Sequence, residues 1–242
     1  MENIKISKPY EGFARTILVE DLLERGFPMP YDILDDLGQA YVLTESNSEI
    51  KTQHFEGKLI PPQFFRIASF PQIKKEDLYY NKNIEEKAIQ ESKEAILRQE
   101  DGRLITLLAA AIKDYEQNKD HVITPNHTLE LDEITEKDFY KSEAIINHHE
   151  LEVKNVLTNP DDAIELKWLN DKYNLIVSHT VPVGTTFLLP EKNYLGVLTT
   201  LYPVDVQENH DVEQFYKGWV IDELIGLMIL NVRGIGLIKH NH

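Results

Sequence analysis

The sequence predicts an α+β fold, and three features of it carry that expectation. Residues 83–116 form one helix-forming stretch that lacks proline and contains a single glycine. After it, residues 128–189 alternate helix-like and strand-like segments. From Tyr194 onward the chain is almost wholly strand-like, rich in Val, Ile, Leu and aromatic residues. Helix and strand runs that do not repeat as strict βαβ units place the fold in the α+β class.

The long stretch Asn83–Glu116 is expected to organise everything else. A helix of that length spans roughly 50 Å, more than the diameter of a small domain. Its first half is charged, with Ala88, Ile89, Ala95 and Ile96 on a narrow stripe. Its second half, with Leu104, Ile105, Leu107, Leu108, Ala109, Ala110, Ala111 and Ile112, has almost no polar face and is expected to be buried nearly all round.

The flanking chain follows in order. Residues 1–40 predict an irregular arm with one or two short helices, an apolar patch at Thr16–Leu23 and little core of its own. Residues 41–80 predict a long two-stranded excursion. In it, Tyr41–Thr44 and Lys51–Lys58 are β-like, Glu45–Ser48 forms a turn, and Pro61-Pro62 enforces extended backbone before Phe64–Phe70. Such a ribbon is marginal alone, and nothing in the sequence covers it, which points to another subunit.

Gln117–His127 predicts a loop, and Thr128–His148 a second helix capped by Thr128 or Asp132, with Leu131, Ile134, Ala144 and Ile145 inward. Leu151–Thr158 is a predicted strand, and Asn159-Pro160-Asp161 starts a helix running to about Leu169. Asn174–Ser178 and Thr185–Leu189 are predicted strands joined through Pro182-Val183-Gly184. The end of the chain predicts strands at Tyr194–Val206, broken by Pro203, at Phe215–Leu230 and at Ile235–Lys239. Turns are expected at Gln207–Glu213 and Asn231–Gly234. With no linker and no repeat, the α+β unit is expected to sit inside one continuous architecture.

Composition narrows the function. The chain has 242 residues, a formal charge of −16 and no cysteine. Disulfides and thiolate metal sites are excluded. An acidic balance of 41 Asp+Glu against 25 Lys+Arg is poor for gripping a phosphate backbone, so a chain near nucleic acid is expected to enclose it rather than bind it. No run of 18 apolar residues occurs, so no membrane span is expected, and the N-terminus MENIKISKPYEGF lacks a signal-peptide core.

The candidate chemistry dissolves on inspection. His148 and His149 are adjacent, so on a helix their rings point about 100° apart and do not converge on an ion with Glu150 or His179. Ser178 and His179 with Asp161 or Asp162 spell a triad without a nucleophile elbow. Gly234-Ile235-Gly236 falls short of a phosphate fingerprint, and Lys239-His240-Asn241-His242 is expected to be a frayed tail. Glu85, Glu86, Glu100 and Asp101 are expected to be solvated or ion-paired. No catalytic, cofactor-binding or metal-ligating residue is assigned, and no enzyme activity is expected.

The order of elements carries more than any motif. Gln99–Ala111 in the long helix, then Asn155-Val156-Leu157-Thr158-Asn159-Pro160-Asp161-Asp162, then Ile176–Thr185, then Gly218–Ile235 give a sequence that resembles the major capsid proteins of tailed phages with the HK97-type fold, over about residues 41–239. The resemblance implies an N-terminal arm (1–40), an extended β-hairpin loop (41–80), a peripheral domain with a spine helix (81–117 and 206–242) and an axial domain (118–205). It implies a homo-oligomer of hexamers and pentamers forming an icosahedral shell, a virion component assembled in the host cytoplasm around double-stranded DNA. Portal, scaffold or decoration proteins are implied partners, and no membrane or cofactor is. Between Trp168 and Lys172 the chain passes directly from helix to strand, shorter than in relatives, which implies a trimmed axial domain. Two alternatives stay open: an encapsulin-type nanocompartment, which shares the fold, and a soluble cytosolic metal-dependent enzyme using His148, His149 or His179.

Overall fold

The computed structural model describes residues 8–23, 31–33, 58–81, 83–117, 126–132, 134–211 and 215–240. One helical turn, α1 (Ala14–Ile17), precedes a short strand, β1 (Val19–Leu22). β2 (Tyr31–Ile33) and β3 (Lys58–Ile60) pair antiparallel. β4 (Phe64–Ser69), β5 (Gln72–Lys74) and α2 (Lys75–Tyr80) lead into α3 (Ile84–Gln117), 34 residues long. The middle of the chain supplies β6 (Thr128–Leu131), α4 (Glu136–Asn147), β7 (Asn155–Thr158), β8 (Asn174–Val177) and β9 (Thr185–Leu189). β10 (Gly196–Asp211), β11 (Tyr216–Ile229) and β12 (Gly236–His240) close it.

Two five-stranded sheets face α3. The first runs β1-β10-β11-β4, with β5 also on β11; the second runs β6-β12-β9-β7-β8. In the second sheet the two-residue side-chain period divides each strand between two cores. Leu157, Phe187, Leu189 and Leu237 join Leu104, Leu108 and Ile112 of α3, together with Ile221 and Ile225 of the first sheet. Their neighbours Val156, Leu188 and Ile238 turn the other way, onto Phe139 and Ile146 of α4 and onto Leu166, Leu169 and Tyr173. Burial on both faces explains the continuous apolar runs of these strands.

The long helix begins and ends within a residue of expectation, and β11 and β12 appear where the pattern places them. Burial along α3 differs. Ala109 and Ala110 are exposed, because only Leu104, Ile105, Leu108 and Ile112 keep the helical phase that meets the two sheets. The first half, conversely, buries Ser92, Glu94, Ile96 and Glu100.

Several expectations are corrected. Thr128–Leu131 is a strand, not the start of a helix, because it pairs parallel with Leu237–His240. The helix then begins at Glu136, where the Thr135 hydroxyl accepts from the Asp138 N–H at 3.3 Å. Ala144 is exposed, and Phe139, Ile145 and Ile146 carry the inner face. The segment from Asn159 to Leu169 makes two 3₁₀ turns instead of an α-helix. Its polar side chains are committed locally: Asn159 accepts from the Asp161 N–H at 3.0 Å, and Asp162 accepts from the Gly184 N–H at 2.9 Å.

β4 is a strand of the subunit's own first sheet, so this part of the 41–80 excursion is covered within the chain; Tyr41–Thr44, the Glu45–Ser48 turn and residues 51–57 lie outside the described residues. Pro203 does not end a strand. The ladder shifts register between Thr200, Tyr202 and Asp205 and continues to Asp211. Residues 207–211 are therefore paired strand, not turn.

Leu108→Ala is expected to cost about 2–5 kcal/mol of unfolding free energy, the range for truncating a fully buried leucine. Ala109→Ser, one residue on and exposed, is expected to change it by less than about 0.5 kcal/mol. Urea denaturation of the two variants checks both.

Candidate functional site

The most unusual chemistry in the molecule is where residues 8–22 cross the middle of α3. Gly12 lies against the helix so closely that an added Cβ would sit 3.3 Å from the Leu97 side chain. On either side of that contact the helix presents carboxylates. Glu94 accepts from the Tyr10 N–H at 3.0 Å. Asp101 accepts from the N–H groups of Phe13 and Ala14 at 3.1 and 2.8 Å, and from the Tyr10 hydroxyl at 2.5 Å. The first amides of a helix have no partner within it, so Asp101 caps α1 from a different element.

Next to it, Arg15 collects three acids. Its guanidinium lies 2.5 Å from Glu100, 3.1 Å from Glu223 of β11 and 2.6 Å from Glu20 of β1. Glu100 receives both Nε and Nη2, a two-pronged contact that fits the planar guanidinium. Glu100 and Glu223 are buried at 0% and 1% exposure, while Glu20 is half-exposed. One cation thus serves two buried carboxyl groups from two elements.

The charge balance decides their protonation. Burial, reinforced by the Glu100 carboxyl beside it, pushes the Glu223 carboxyl up to about 8, against the opposing pull of Arg15. Glu223 therefore holds its proton to a higher pH than an ordinary glutamate. Burial also raises Asp101, while the Tyr10, Ala14 and Phe13 donors work against the rise. Glu94 moves the other way, lowered first by the N–H of Tyr10.

Sequence periodicity contained the signal for this cluster. Glu100 lies four residues after Ile96 and four before Leu104, in phase with the buried stripe of α3. Glu223 alternates in step with Ile221 and Ile225 on the core face of β11. The expectation that Glu100 and Asp101 are solvated or ion-paired holds for Glu100, which is ion-paired. It is corrected for Asp101, which is buried and accepts from the Phe13 and Ala14 N–H groups. Glu85 is ion-paired as well, to Lys217 at 2.9 Å, and Glu86 is exposed.

The other singled-out residues fall elsewhere. His149 stacks on His127 at 5.7 Å and meets His148 edge-on at 5.8 Å, while His179 is exposed on the loop after β8. Among the described residues, no group of three or more His, Asp or Glu is placed to hold a metal ion. Ser178 lies 3.3 Å from the Tyr10 hydroxyl, and Asp162 lies 3.2 Å from His240, so the triad does not assemble. Lys239 and His240 belong to β12, with His240 buried, so up to this residue the tail is strand. Gly184, with φ of 74°, carries the turn that accepts the His240 N–H at 2.9 Å.

No family model matches the sequence, and no curated protein matches it either. Solved structures do. A chain of Microbacterium phage Oxtober96 matches with a TM-score of 0.73 at 10% identity, covering 100% of this chain and 95% of that one. The capsid of cyanophage P-SCSP1u matches at 0.71 and 8% identity, covering 100% and 91%. The fold is the HK97 capsid fold. A virus-like particle from Pyrococcus furiosus matches less closely, at 0.56 and 10% identity over 93% and 90%.

Within the HK97-type fold, α3 is the spine, and the carboxylates described above lie at its mid-length. No helix among the described residues is long and apolar enough to cross a membrane. Large apolar side chains stand in solvent: Tyr79 and Tyr80 at the end of α2, and Phe70 and Phe215 near the far end of the β10–β11 hairpin.

Arg15→Met leaves Glu100 and Glu223 without their cation. The expected loss is about 2–4 kcal/mol, somewhat under the range for a deeply buried pair because Arg15 is partly exposed. Chemical denaturation of the variant beside the parent chain measures it.

Proposed function

We propose that this chain is the subunit of a closed icosahedral shell, the major capsid protein of a tailed-phage-type head enclosing double-stranded DNA. The observation that carries the proposal is the full-length likeness to a cyanophage capsid chain, in which 100% of this chain superposes with a TM-score of 0.71.

In this reading α3 with β10 and β11 forms the peripheral platform, and the rest of 118–205 forms the axial domain around a hexamer or pentamer axis. It is joined there by β12 of the 206–242 segment, which pairs between β6 and β9. The part of the 41–80 loop free to overlap an adjacent subunit ends at β4, because Phe64–Ser69 is committed to the subunit's own sheet. Tyr79, Tyr80, Phe70 and Phe215, between 66% and 90% exposed, are apolar surface that subunit contacts would cover. Heterologous contacts of this kind close into rings and shells. The formal charge of −16 suits a container that does not grip its contents. The portal, scaffold and decoration partners, the host cytoplasm as assembly site and the virion as destination belong to the same proposal.

The likeness to the Pyrococcus furiosus virus-like particle supports a second reading, a nanocompartment shell with protein cargo. Its TM-score of 0.56 against 0.71 and 0.73 for the phage chains favours the head.

The full chain, expressed alone and imaged by negative-stain electron microscopy, is expected to give closed isometric particles. A chain that stays monomeric by light scattering at high concentration would overturn the proposal. Nuclease-protected DNA in particles recovered from the native source supports the head, and protein cargo in its place supports the nanocompartment.

A further inference from the structure

The first sheet ends on one side at β4, beside a cationic groove. We propose that the free edge of β4 receives, as an added strand, part of the acidic stretch 34–57 of a second copy of this chain.

The site is built from an edge and a wall. β4 pairs with β11 along one side, and among the described residues no strand pairs with its other side. Backbone groups alternate in direction along a paired strand, so half of those on β4 face away from β11 and have no ladder to join. A groove of about 420 Å³ lies between this strand and α3. All five consecutive residues 65–69 line it, from both faces of the strand, so it runs along the edge rather than over one face. The opposite wall is Ala95, Gln99 and Arg103 of α3, exposed and four residues apart on one side of the helix.

Charge and length select the occupant. No Asp or Glu lines the groove, in a chain where 41 acids outnumber 25 Lys and Arg. Arg66 is answered in part by Asp222 at 3.3 Å. Arg103 lies 5.8 Å over the Phe65 ring and makes no ion pair among the described residues. The 24 residues between β2 and β3, numbers 34–57, carry Asp35, Asp36, Glu45, Glu49 and Glu56 against a single Lys51. They include the strand-forming Tyr41–Thr44, and half of their length, extended, spans roughly 40 Å. A strand added at this edge gains main-chain hydrogen bonds from β4, and its acids gain the two arginines as counter-charge.

The chain's own copy of the stretch is poorly placed to fill the edge. A tight hairpin would lay β3 against β4, but β3 is already paired with β2, and Pro61-Pro62-Gln63 is all that separates it from β4. The inference rests on the shell reading, since an assembly is what brings a second copy to this edge.

Photo-crosslinking in the assembled full chain tests it. A p-benzoylphenylalanine replaces Ala68, which is exposed on β4, and particles are assembled from equal parts of isotope-labelled and unlabelled chain. Mass spectrometry is expected to find residues within 34–57 captured, with mixed-isotope pairs as frequent as same-isotope pairs. Same-isotope pairs alone, which place the stretch on its own edge, overturn the proposal. Capture of a different segment overturns it, as does no capture in particles that do form. Should the probe at Ala68 block assembly, the same probe at Gln99, on the helix wall, decides by the same readings. Should the unmodified chain form no particles, the shell reading fails, and the crosslinking is read on the concentrated chain. Mixed-isotope capture there leaves this contact standing without the shell, and its absence overturns the contact too.

Discussion

Arg15 stands where three elements meet: α1, which carries it, α3 through Glu100, and β11 through Glu223. This contact ties the first sheet, the spine helix and the N-terminal segment at one point, within apolar packing that does not itself specify direction. A guanidinium between two buried carboxyl groups admits one arrangement, since any sliding leaves a charge in an apolar core. Asp101 repeats the logic one residue along the helix, by satisfying the first amides of α1, which no helix satisfies itself. The segment therefore behaves as part of the core: Phe13, Ala14, Ile17 and Leu18 are all buried with the α3 stripe.

Much of the architecture was legible from periodicity alone. The spine was plain because 34 residues of good helix formers leave no competing conformation. β9 and β12 were plain because their apolar runs are short and bounded by turn residues. What failed was what depends on a distant partner. Thr128–Leu131 is a strand because β12 lies beside it, roughly a hundred residues later, and no local propensity encodes that. β1 is a strand for the same reason, through its parallel register with Val197–Thr200. Asn159–Leu169 has the start signal of a helix, yet its side chains are spent on the Gly184 and Val181 backbone.

The carboxylate cluster was partly hidden by a different assumption, that acids on a long helix are solvated or ion-paired without being buried. The phase of Glu100 between Ile96 and Leu104, and of Glu223 between Ile221 and Ile225, contradicts it. An acid in step with a buried stripe marks a place where the core meets a cation or keeps a proton. Arg15 itself gave no comparable sign, because a four-residue helix has no pattern to break.

The β10–β11 hairpin has one further consequence. Its strands run 16 and 14 residues, on the order of 50 Å, so its far end reaches beyond β4, where β5 pairs with Tyr216–Gly218. Lys217, next to that end, bonds Glu85 in the first turn of α3 and Glu208 on the opposite strand. Two long slender members are thus joined near their tips by a strut as well as at their bases by the core. That is the arrangement of a braced truss. A bending load on the hairpin becomes compression along the helix, whose hydrogen bonds lie along its axis. A thin wall built of such members would gain stiffness without gaining thickness.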